Sequence, residues 1–407
     1  MLKTAVMLLA LLVSLNASLY DDSVTQTRDV SVLKSLEIDE TFLKDKEFQE
    51  LRENYRLYRS TIFIQILSDA YIYFPLIKKM LTDKGLPDSL VYMAMAESSF
   101  KNRAYSRARA VGIWQFMPRT AQRFGLDVDL YIDERRDPVK STEAAIEYLT
   151  YLHGLFGKWY LAVMAYNCGE GRLKKAIKQA GSDDLNALLQ VRKGVRRQYL
   201  PMETRKYIRK IIAMASIAQS ENLMMSTNNM HLLNRGLSYP MASVEVGPGT
   251  HLKEISESIG VSYRELRVLN ASLNYGFVPP YVKRFEVHIP YEKVADFKEN
   301  FKRKNPNEKY LVYRVKSGDT LSSIGRKFGI NYKIIKDFNG LRNSFLSLKQ
   351  KLIIPIAKAE RFEYVVQNGD TLSSIARKFN MELERLIDIN NKKNIIYVGE
   401  KIIIQKQ

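Results

Sequence analysis

An internal repeat near the C-terminal end of the chain constrains its fold most strongly. Residues 315–321 read Val-Lys-Ser-Gly-Asp-Thr-Leu, and residues 366–372 read Val-Gln-Asn-Gly-Asp-Thr-Leu. The match continues downstream, where Asn339 of one copy corresponds to Asn390 of the other, and a fainter third copy lies upstream around residues 249–252. Small modules in tandem are typical of repeated weak binding to a long polymer, because linked sites raise the effective concentration at one another.

Each copy predicts the same small module. A short alternating strand at 313–315 or 364–366 precedes a Gly-Asp-Thr turn, and an apolar strand at 351–355 or 401–404 closes the copy. Between them lie two helical segments, the first of which the Asp or Thr of the turn can cap. We therefore predict a βααβ unit with two antiparallel strands and helices on one face.

Length, composition and charge indicate an exported, folded protein of several domains. The 407 residues are 46% apolar, enough for about two to four domains. Residues 1–17 have the pattern of a signal peptide, with an uncleaved anchor as the alternative. The net charge of +19 favours anionic envelope polymers or acidic lipids at a membrane surface as partners. Nucleic acid is not expected, because the chain carries an export signal.

Cysteine and histidine usage limits the chemistry. Cys168 is the only cysteine, so no internal disulfide is expected, and it is interpreted as a small packed side chain rather than a nucleophile. No cysteine follows the N-terminal apolar run, so a lipoprotein is not expected. The four histidines are scattered and match no metal-ligand spacing, which predicts no metal site.

The chain before the repeats predicts an all-α domain at 61–225, preceded by a helical or linker region at 18–60. Helical periodicity recurs between residues 141 and 220, and the apolar segment 61–82 is interrupted by polar residues and a proline, which favours core helices over a membrane span. Residues 221–243 are interpreted as a linker. The repeats place modules at 244–291 (the degenerate copy), 310–357 and 361–406.

Four short signatures in the helical domain carry the candidate chemistry. They are Glu97-Ser98-Ser99-Phe100, Gly-Ile-Trp-Gln-Phe-Met-Pro at 112–118, Ala-Tyr-Asn-Cys-Gly-Glu-Gly at 165–171 and Tyr-Leu-Pro-Met-Glu-Thr-Arg at 199–205. Glu97 ends an apolar helix predicted over 88–100, where burial and the helix dipole both raise a carboxyl pKa. A carboxylic acid that stays protonated near neutral pH can protonate a glycosidic oxygen. The alternative is a helix-terminal glutamate that faces water.

The second and third signatures predict loops at the ends of helices. Residues 112–118 read as a turn that feeds a helix, with flat apolar side chains and one amide suited to a sugar groove; the alternative is a core turn around Trp114. Tyr166 and Asn167 precede Gly169, which resembles a left-handed glycine cap. That cap places a phenol and an amide together at a loop.

In this order and spacing, the signatures resemble the catalytic domain of the lytic transglycosylases of bacterial cell walls, and the repeats resemble LysM modules. The resemblance covers about 75–225 and 310–406, and residues 244–291 match LysM only loosely. It implies an all-α lysozyme-like catalytic domain followed by small α+β LysM modules, with peptidoglycan strands as the partner and no cofactor. It also implies that Glu97 is the single catalytic acid and base. The implied substrate-binding residues are Ser106, Gln115, Met117, Tyr166, Asn167, Tyr199 and Glu203.

The resemblance implies cleavage between N-acetylmuramic acid (MurNAc) and N-acetylglucosamine (GlcNAc) by internal attack of a sugar hydroxyl. Two rivals stay open: a hydrolytic muramidase, in which an acid among Asp127, Asp129, Asp133 and Asp137 activates water, and a non-catalytic wall-binding scaffold.

The modules are expected to bind GlcNAc-containing glycan, although their candidate residues also suit a purely structural role in turns and caps. The candidates in the modules are Gly318, Asp319, Thr320, Asn339, Gly369, Asp370, Thr371 and Asn390. Many enzymes with this layout are lipoproteins, so the absent cysteine departs from the pattern and leaves membrane attachment to an uncut apolar segment or the basic surface.

Overall fold

The computed structural model describes residues 27–190, 198–218, 221–233, 240–279, 281–302, 308–357, 360–379, 381, 383–390 and 395–406. The predicted signal peptide at 1–17 lies outside these residues. The helices of the first part are α1 (27–35), α2 (Lys46–Leu57), α3 (Ser60–Ala70), α4 (Phe74–Asp83), α5 (Val91–Ser98), α6 (Pro118–Arg123), α7 (Pro138–Phe156), α8 (Trp159–Cys168), α9 (Glu170–Ala180), α10 (Leu185–Leu189), α11 (Met202–Ala218) and α12 (Glu221–Ser226).

Helices α8 and α11 form the centre of the helical domain. Every side chain from Tyr160 to Ala165 on α8 is buried, and α11 is buried on most of its surface. A helix that is apolar on all sides requires neighbours on all sides. Helices α2, α5, α7 and α9 supply these neighbours. The predicted all-α domain is confirmed.

The N-terminal helices pack into the same core. Phe42 and Phe48 are fully buried, with ring centroids 5.1 Å apart. The carboxylate of Asp45 caps α2 by accepting the Phe48 N–H, and it pairs with the buried guanidinium of Arg209 on α11 at 2.6 Å. Residues 27–57 therefore support α11, the helix that carries part of the site.

Helices α3 and α4 contain the most apolar stretch of the described chain. Phe63, Leu67, Ile77 and Leu81 on these helices are buried in the core. Within the described ranges, no single helix has the length and apolar character needed to cross a membrane; α3 and α4 meet that criterion only as a pair, bent by 77°.

The prediction of a linker at 221–243 was wrong where the structure describes it. Helix α12 is followed by a 3-10 turn at Met230–Leu233, and a strand begins at Met241. Met224 and Leu232 are buried in the main core. The polar residues around them suggested a loop, but these two apolar side chains dock the segment on the helical domain.

Three βααβ units follow, as predicted. Each contains one antiparallel two-stranded sheet with two helices between its strands. The elements of the first are β1 (Met241–Val246), α13 (Leu252–Ile259), α14 (Tyr263–Leu269) and β2 (Phe285–Pro290), followed by α15 (Val294–Asn300). Those of the second are β3 (Glu308–Arg314), α16 (Leu321–Phe328), α17 (Tyr332–Phe338) and β4 (Lys351–Ala357), and those of the third are β5 (Glu360–Val365), α18 (Leu372–Lys378), α19 (Leu383–Ile389) and β6 (Lys401–Lys406).

The same asparagine joins helix to strand in every unit. The Nδ2 of Asn339 donates to the carbonyls of Ile335 on α17 and Ile353 on β4, and its Oδ1 accepts the Ile353 N–H at 2.7 Å. Asn390 and Asn270 repeat these three bonds in the third and first units. The side chain therefore ties the end of the second helix to the closing strand.

The first unit is bonded to the helical domain along several edges. The Asp133 N–H donates to the Ser272 carbonyl at 2.9 Å, and the Asn274 N–H donates to the Tyr131 carbonyl at 2.8 Å. The apolar side chains of both parts belong to one continuous core. The degenerate copy is therefore packed as an extension of the helical domain and is not a separate module joined only by a linker.

Candidate active site

Glu97 lies in the last turn of α5, which ends abruptly. The segment predicted as one helix over 88–100 is a 3-10 turn at Asp88–Leu90 followed by an α-helix that stops at Ser98. Ser99 and Phe100 have φ values of 54° and 57°. Two consecutive left-handed residues cannot continue a right-handed helix, and such backbone strain is typical of functional sites. The chain turns away directly after Glu97 and exposes the end of the helix.

The carboxyl group of Glu97 is half-buried and hydrogen-bonded. The Tyr207 hydroxyl on α11 donates to its Oε1 at 2.7 Å. Burial raises the pKa of Glu97 above its ordinary value; the Tyr207 hydrogen bond and the Lys210 charge act in the opposite direction, and the Glu203 charge adds to the increase. The expected upward shift of the pKa is present, with burial as its main cause.

Some side chains of the second signature are buried in the core and others are accessible. Trp114 and Phe116 are buried, and the indole N–H of Trp114 donates to the Thr142 hydroxyl at 2.9 Å. The expectation that these flat side chains line a sugar groove was therefore wrong for the tryptophan and the phenylalanine. Gln115 is half-buried and Met117 is 43% exposed, so these two side chains are accessible.

Gly112 allows this turn to pack closely against the loop before α7. Its φ is 85°, and a Cβ placed there would lie 1.7 Å from the carbonyl oxygen of Arg135. Only glycine fits a position with both a positive φ and such a close approach of another backbone. The first and second signatures are tied as well, because the Ser98 hydroxyl donates to the Ile113 carbonyl at 2.8 Å.

The third signature places Tyr166 beside Glu97. The Tyr166 hydroxyl donates to the Trp114 carbonyl at 2.6 Å, and burial, followed by the negative charge of Glu97, raises the pKa of this phenol well above its usual value. The Oδ1 of Asn167 accepts a hydrogen bond from the Thr204 hydroxyl at 2.8 Å. Tyr166 therefore connects α8 to the turn at 112–118, and Asn167 connects α8 to α11, both near Glu97.

The end of α8 differs from the predicted left-handed cap. Gly169 has a positive φ of 87° but an extended ψ of 139°, because α9 begins at the next residue and Gly169 also precedes its first turn. Burial raises the pKa of the Cys168 thiol, which keeps it protonated and supports its interpretation as a packed side chain.

The fourth signature begins α11. The face of this helix that lies toward Glu97 extends beyond the signature. Glu203, Tyr207 and Lys210 follow one another at helical spacing, so their side chains share a face. Tyr207 bonds Glu97, and the Lys210 ammonium donates to the Ala96 carbonyl at 3.2 Å. The sequence analysis missed Tyr207 and Lys210, although their spacing from Glu203 was a signal that pointed to them.

Two predicted residues contact other groups. The Ser106 hydroxyl accepts the Ala110 N–H at 2.9 Å and so shapes a local turn. Tyr199 is half-buried just before α11. Neither makes a hydrogen bond to Glu97 among the contacts that the structure describes.

Three of the four aspartates that could supply a second catalytic carboxylate, Asp129, Asp133 and Asp137, serve other contacts. Asp133 forms a bidentate pair with the neighbouring Arg135 at 2.8 and 2.9 Å. Asp137 caps α7 and bonds a histidine of the first unit, and Asp129 accepts backbone N–H groups of its own loop. None of these aspartates is among the groups that shift the pKa of Glu97. No cluster of His, Cys, Asp or Glu in the described ranges suits a metal ion.

The Gly-Asp-Thr turns of the second and third units are stabilised by hydrogen bonds within each unit. Thr320 caps α16 by accepting the Ser323 N–H at 3.0 Å, and Gly318 has a φ of 84°. The Asp319 carboxylate accepts the Lys316 N–H and the Tyr313 hydroxyl, and these bonds lower its pKa. Gly369, Asp370, Thr371 and Asn390 repeat this arrangement in the third unit. The polar atoms of these turns are therefore largely engaged within the unit.

The corresponding groove of the first unit is covered by the second unit. His251, in the turn after β1, stacks with Tyr263 at 5.8 Å, and two rings of the second unit, Tyr310 and Phe338, lie edge-on to it at 5.8 and 5.9 Å. Burial lowers the pKa of His251 to about 4, so the ring is neutral at neutral pH. Phe277, in the connection between α14 and β2, is also buried beneath Tyr310.

The domains match known families along most of the chain. Residues 74–189 match the family described as Transglycosylase SLT domain. Residues 240–305 match the family described as Lytic transglycosylase MltD, LysM-like domain. Residues 313–355 and 364–405 match the LysM domain.

Individual proteins show the same relationship. The membrane-bound lytic murein transglycosylase D of Escherichia coli (strain K12) is 28% identical over 386 residues, which cover 89% of this chain and 82% of that protein. A putative tributyltin chloride resistance protein of Alteromonas sp. (strain M-1) is 39% identical over 111 residues, covering 27% of this chain and 53% of that protein. The crystal structure of the 70 kDa soluble lytic transglycosylase SLT70 from Escherichia coli aligns with 51% of this chain and 29% of its own at 23% identity, with a TM-score of 0.29. A TM-score this low does not by itself show a shared fold. The SLT domain, together with the similarity of most of the chain to a lytic murein transglycosylase, supports a peptidoglycan lytic transglycosylase that carries LysM modules for binding this polymer.

Proposed function

We propose that the enzyme cleaves the β-1,4 bond between MurNAc and GlcNAc and leaves a 1,6-anhydro-MurNAc end, with Glu97 as the single acid and base. Protonated Glu97 donates to the glycosidic oxygen while the N-acetyl oxygen of the sugar assists the developing positive charge. The Glu97 carboxylate then accepts the proton of the MurNAc C6 hydroxyl, which attacks C1. Because the nucleophile belongs to the same sugar, its effective concentration is high and no water is consumed.

The environment of Glu97 is the observation that supports this proposal. Burial raises its pKa, which favours the protonated side chain that donation to a glycosidic oxygen requires. The Tyr207 hydroxyl and the Lys210 charge favour the carboxylate that remains after proton donation. A single group that acts first as an acid and then as a base requires both influences. A large stabilisation of either the protonated form or the carboxylate would slow one of the two steps.

The remaining predicted residues are proposed to hold the sugar beside Glu97. Tyr166 and Asn167 supply a ring and an amide for the N-acetyl sugar, and Gln115 and Met117 line the groove. Ser106, Tyr199 and Glu203 complete the proposed set. Support for these roles comes from the contacts of Tyr166, Asn167 and Glu203 with the elements around Glu97.

A hydrolytic muramidase is the second candidate for the reaction. It requires a second carboxylate to activate water. The pairing of Asp133 with Arg135 and of Asp137 with a histidine makes both poor bases, which favours the transglycosylase reaction. The scaffold alternative requires an inert Glu97 and is tested by the same experiment.

The second and third units are proposed to hold the glycan, and the first unit to serve as a spacer. Phe345 is 86% exposed and Tyr397 is 70% exposed, each in the connection that leads to the closing strand. Exposed rings in a groove are the usual platform for sugar rings. The equivalent connection of the first unit carries the buried Phe277. These exposed rings were not predicted from the sequence.

The location is proposed to be the cell envelope, after export. The basic composition suits peripheral contact with acidic lipids, and the 28% identical relative is described as membrane-bound. Nucleic acid has no place in this proposal, and the oligomeric state is left open.

Purified sacculi test the proposed reaction. The parent protein, Glu97→Gln and the control Glu143→Gln, an exposed glutamate on α7, are incubated with sacculi and the soluble products are weighed by mass spectrometry. We expect parent and control to release fragments lighter by one water than hydrolysed ends. Glu97→Gln is expected to release at least about a hundredfold less while still pelleting with sacculi. Hydrated ends would instead identify a muramidase, and undiminished release by Glu97→Gln would exclude this glutamate as the acid.

A further inference from the structure

A cleft of about 610 Å³ lies where the helical domain, the first unit and the second unit meet. We name it the junction cleft. None of its lining residues belongs to the four signatures, and its volume lies in the range of small-ligand sites. Its lining residues are Asp129, Leu130, Asp133, Arg136, Asn274, Tyr275, Arg314 and Lys351.

Two cations of the junction cleft face each other without an anion between them. Arg314 on β3 and Lys351 on β4 are direct partners in the antiparallel register. Like charges at such positions destabilise a sheet. Within the described residues neither side chain forms an ion pair, and the Lys351 ammonium lies 5.6 Å from the centre of the Tyr275 ring. The pair is therefore suited to an anion from outside the protein.

The two carboxylates of the junction cleft do not neutralise these cations. Asp133 is already bonded by both nitrogens of Arg135. Asp129 accepts the N–H groups of Tyr131 and Ile132 and the hydroxyl of Tyr281. With Arg136 as a third cation, the lining keeps an excess of positive charge.

Two donors in the lining have no acceptor among the described residues. The Nε of Arg136 and the hydroxyl of Tyr275 are both buried and make no hydrogen bond there. The nearest carboxylate oxygen, on Asp133, is 3.7 Å from the Arg136 Nε, beyond hydrogen-bond distance. A buried donor without an acceptor is costly, so these atoms also suit an oxygen-rich ligand.

The third unit lacks this arrangement at the same positions. Val365 stands where Arg314 stands, and Lys401 at the start of β6 pairs with Glu363 at 2.9 Å. The facing cations are therefore confined to the unit that meets the helical domain. This contrast separates the junction cleft from the general basicity of the chain.

We propose that the junction cleft binds a carboxylate of the peptide carried by MurNAc on the wall strand. This inference rests on the proposed function, because it assumes that the catalytic domain and the second unit engage one strand. The sugar backbone of a peptide-substituted strand is uncharged, so the peptide carboxylates are its anions. Guanidinium groups match a carboxylate geometrically, and Leu130 and Tyr275 supply apolar surface for the aliphatic part of the peptide.

Binding measurements in a Glu97→Gln background test the proposal, since the ligand is then not cut. Arg314→Gln with Lys351→Gln is compared with the control Lys401→Gln of the third unit. The probes are a disaccharide-peptide muropeptide, a disaccharide of GlcNAc that carries no carboxylate, and inorganic phosphate, each titrated by calorimetry at low ionic strength. We expect the double variant to bind the muropeptide about five- to tenfold more weakly, with disaccharide binding unchanged and the control equal to its parent.

Two outcomes of the binding measurements overturn the proposal. Equal muropeptide affinity in parent and double variant excludes the junction cleft as a peptide site. Phosphate that competes for the cleft while the muropeptide does not bind there identifies a phosphate site instead. The unliganded double variant should also unfold at the same or a higher temperature, because a like-charge pair is removed, and a lower temperature would contradict that premise. Cleavage of sacculi by Glu97→Gln would refute the proposed function alone, since these binding comparisons do not depend on catalysis.

Discussion

Glu97 is under opposing influences that come from one face of α11. Glu203 adds to the increase of its pKa that burial causes, whereas Tyr207 and Lys210 reduce that increase. The three residues lie on successive turns, so a single helix adjusts how firmly the acid holds its proton. Replacing one of them should shift the pH dependence of catalysis without removing the acid.

Glu203→Gln should lower the pKa of Glu97, because it removes a negative charge that disfavours the carboxylate. An acid with a lower pKa loses its proton at lower pH, so the alkaline limb of the kcat profile should move to lower pH. The shift should be less than about one pH unit, since Glu203 is exposed to solvent. Sacculus digestion across a pH series measures the limb. Glu143→Gln should leave it in place, and a shift toward higher pH in Glu203→Gln would contradict the assigned influence.

The helix-end position of Glu97 and the direction of its pKa shift were predictable from the sequence, whereas its contacts were not. Glu97 followed from an apolar helix ending in one carboxyl group, and its position in a set of four signatures added weight. Tyr207 is 110 positions away along the chain, and only the tertiary fold brings its hydroxyl to Glu97. For Trp114 the sequence left a sugar groove and a core turn as alternatives; the structure buries it in the core, where its indole N–H donates to Thr142.

At the scale of elements, one asparagine side chain in each LysM-type unit hydrogen-bonds the backbone of the closing strand, as a neighbouring strand would. Asn339 makes three bonds that join α17 to β4. The sequence analysis offered a ligand role and a structural role for this residue. The contacts favour the structural one, because both ends of the amide are engaged inside the unit.

Asn339→Ala should destabilise the second unit by roughly 2–3 kcal/mol, since the Ile353 N–H and carbonyl lose their partner. Hydrogen exchange of the β4 amides measures this effect within the intact protein. Asn343→Ala, an exposed residue of the same unit that bonds only the Phe345 N–H, is the matched control and should cost far less. Amides of α8 should be unaffected by either change, and equal effects of the two variants would remove Asn339 from its assigned role.

Periodicity predicted the long elements well and the short ones poorly. The segments at 141–156 and 159–166 correspond to α7 and α8, and the βααβ order of the repeats is confirmed. The stop of α5 at Ser98 depends on two left-handed residues that carry no glycine signal. The helix and turn within 221–233 depend on docking of two apolar side chains, which a local pattern does not reveal.

On the scale of the whole molecule, the first unit connects catalysis to binding. It shares a core with the helical domain, and its groove is covered by Tyr310 and Phe338 of the second unit. The sequence predicted a degenerate copy of the module at 244–291. The sequence could not predict that the groove of the first unit is covered, because the two rings that cover it belong to the second unit.

A buried polar contact across this connection joins His288 on β2 to Asp137, the N-cap residue of α7, at 2.9 Å. Burial by itself lowers the pKa of His288, but the Asp137 charge and hydrogen bond raise it overall, with a smaller increase from Glu286 and an opposing effect of Lys140. Burial by itself raises the pKa of Asp137, but the His288 charge and several hydrogen bonds lower it overall. Each partner therefore holds the other in its charged form.

This pair should make the stability of the connected domains depend on pH in a defined direction. The raised pKa of His288 gives a stabilisation that is complete below the ordinary value of 6.5 and is lost as the pH rises through the raised value. The lowered pKa of Asp137 gives a stabilisation that is complete above the ordinary value of 3.8 and is lost as the pH falls through the lowered value. The pair should contribute most between these two limits.

Thermal unfolding of the full chain at about pH 6 and about pH 9 tests this expectation. His288→Gln should lower stability by about 3 kcal/mol at the lower pH, because it leaves the buried Asp137 without a counter-charge. Its deficit should narrow as the pH rises through the raised pKa of His288, because the parent then loses the charge of this residue. His231→Gln is the control, since that exposed imidazole lies edge-on to Tyr71 without an acidic partner among its described contacts, and it should keep the pH dependence of the parent. A His288→Gln deficit of equal size at both pH values would mean that the contact holds the domains together by packing and neutral hydrogen bonds rather than by charge.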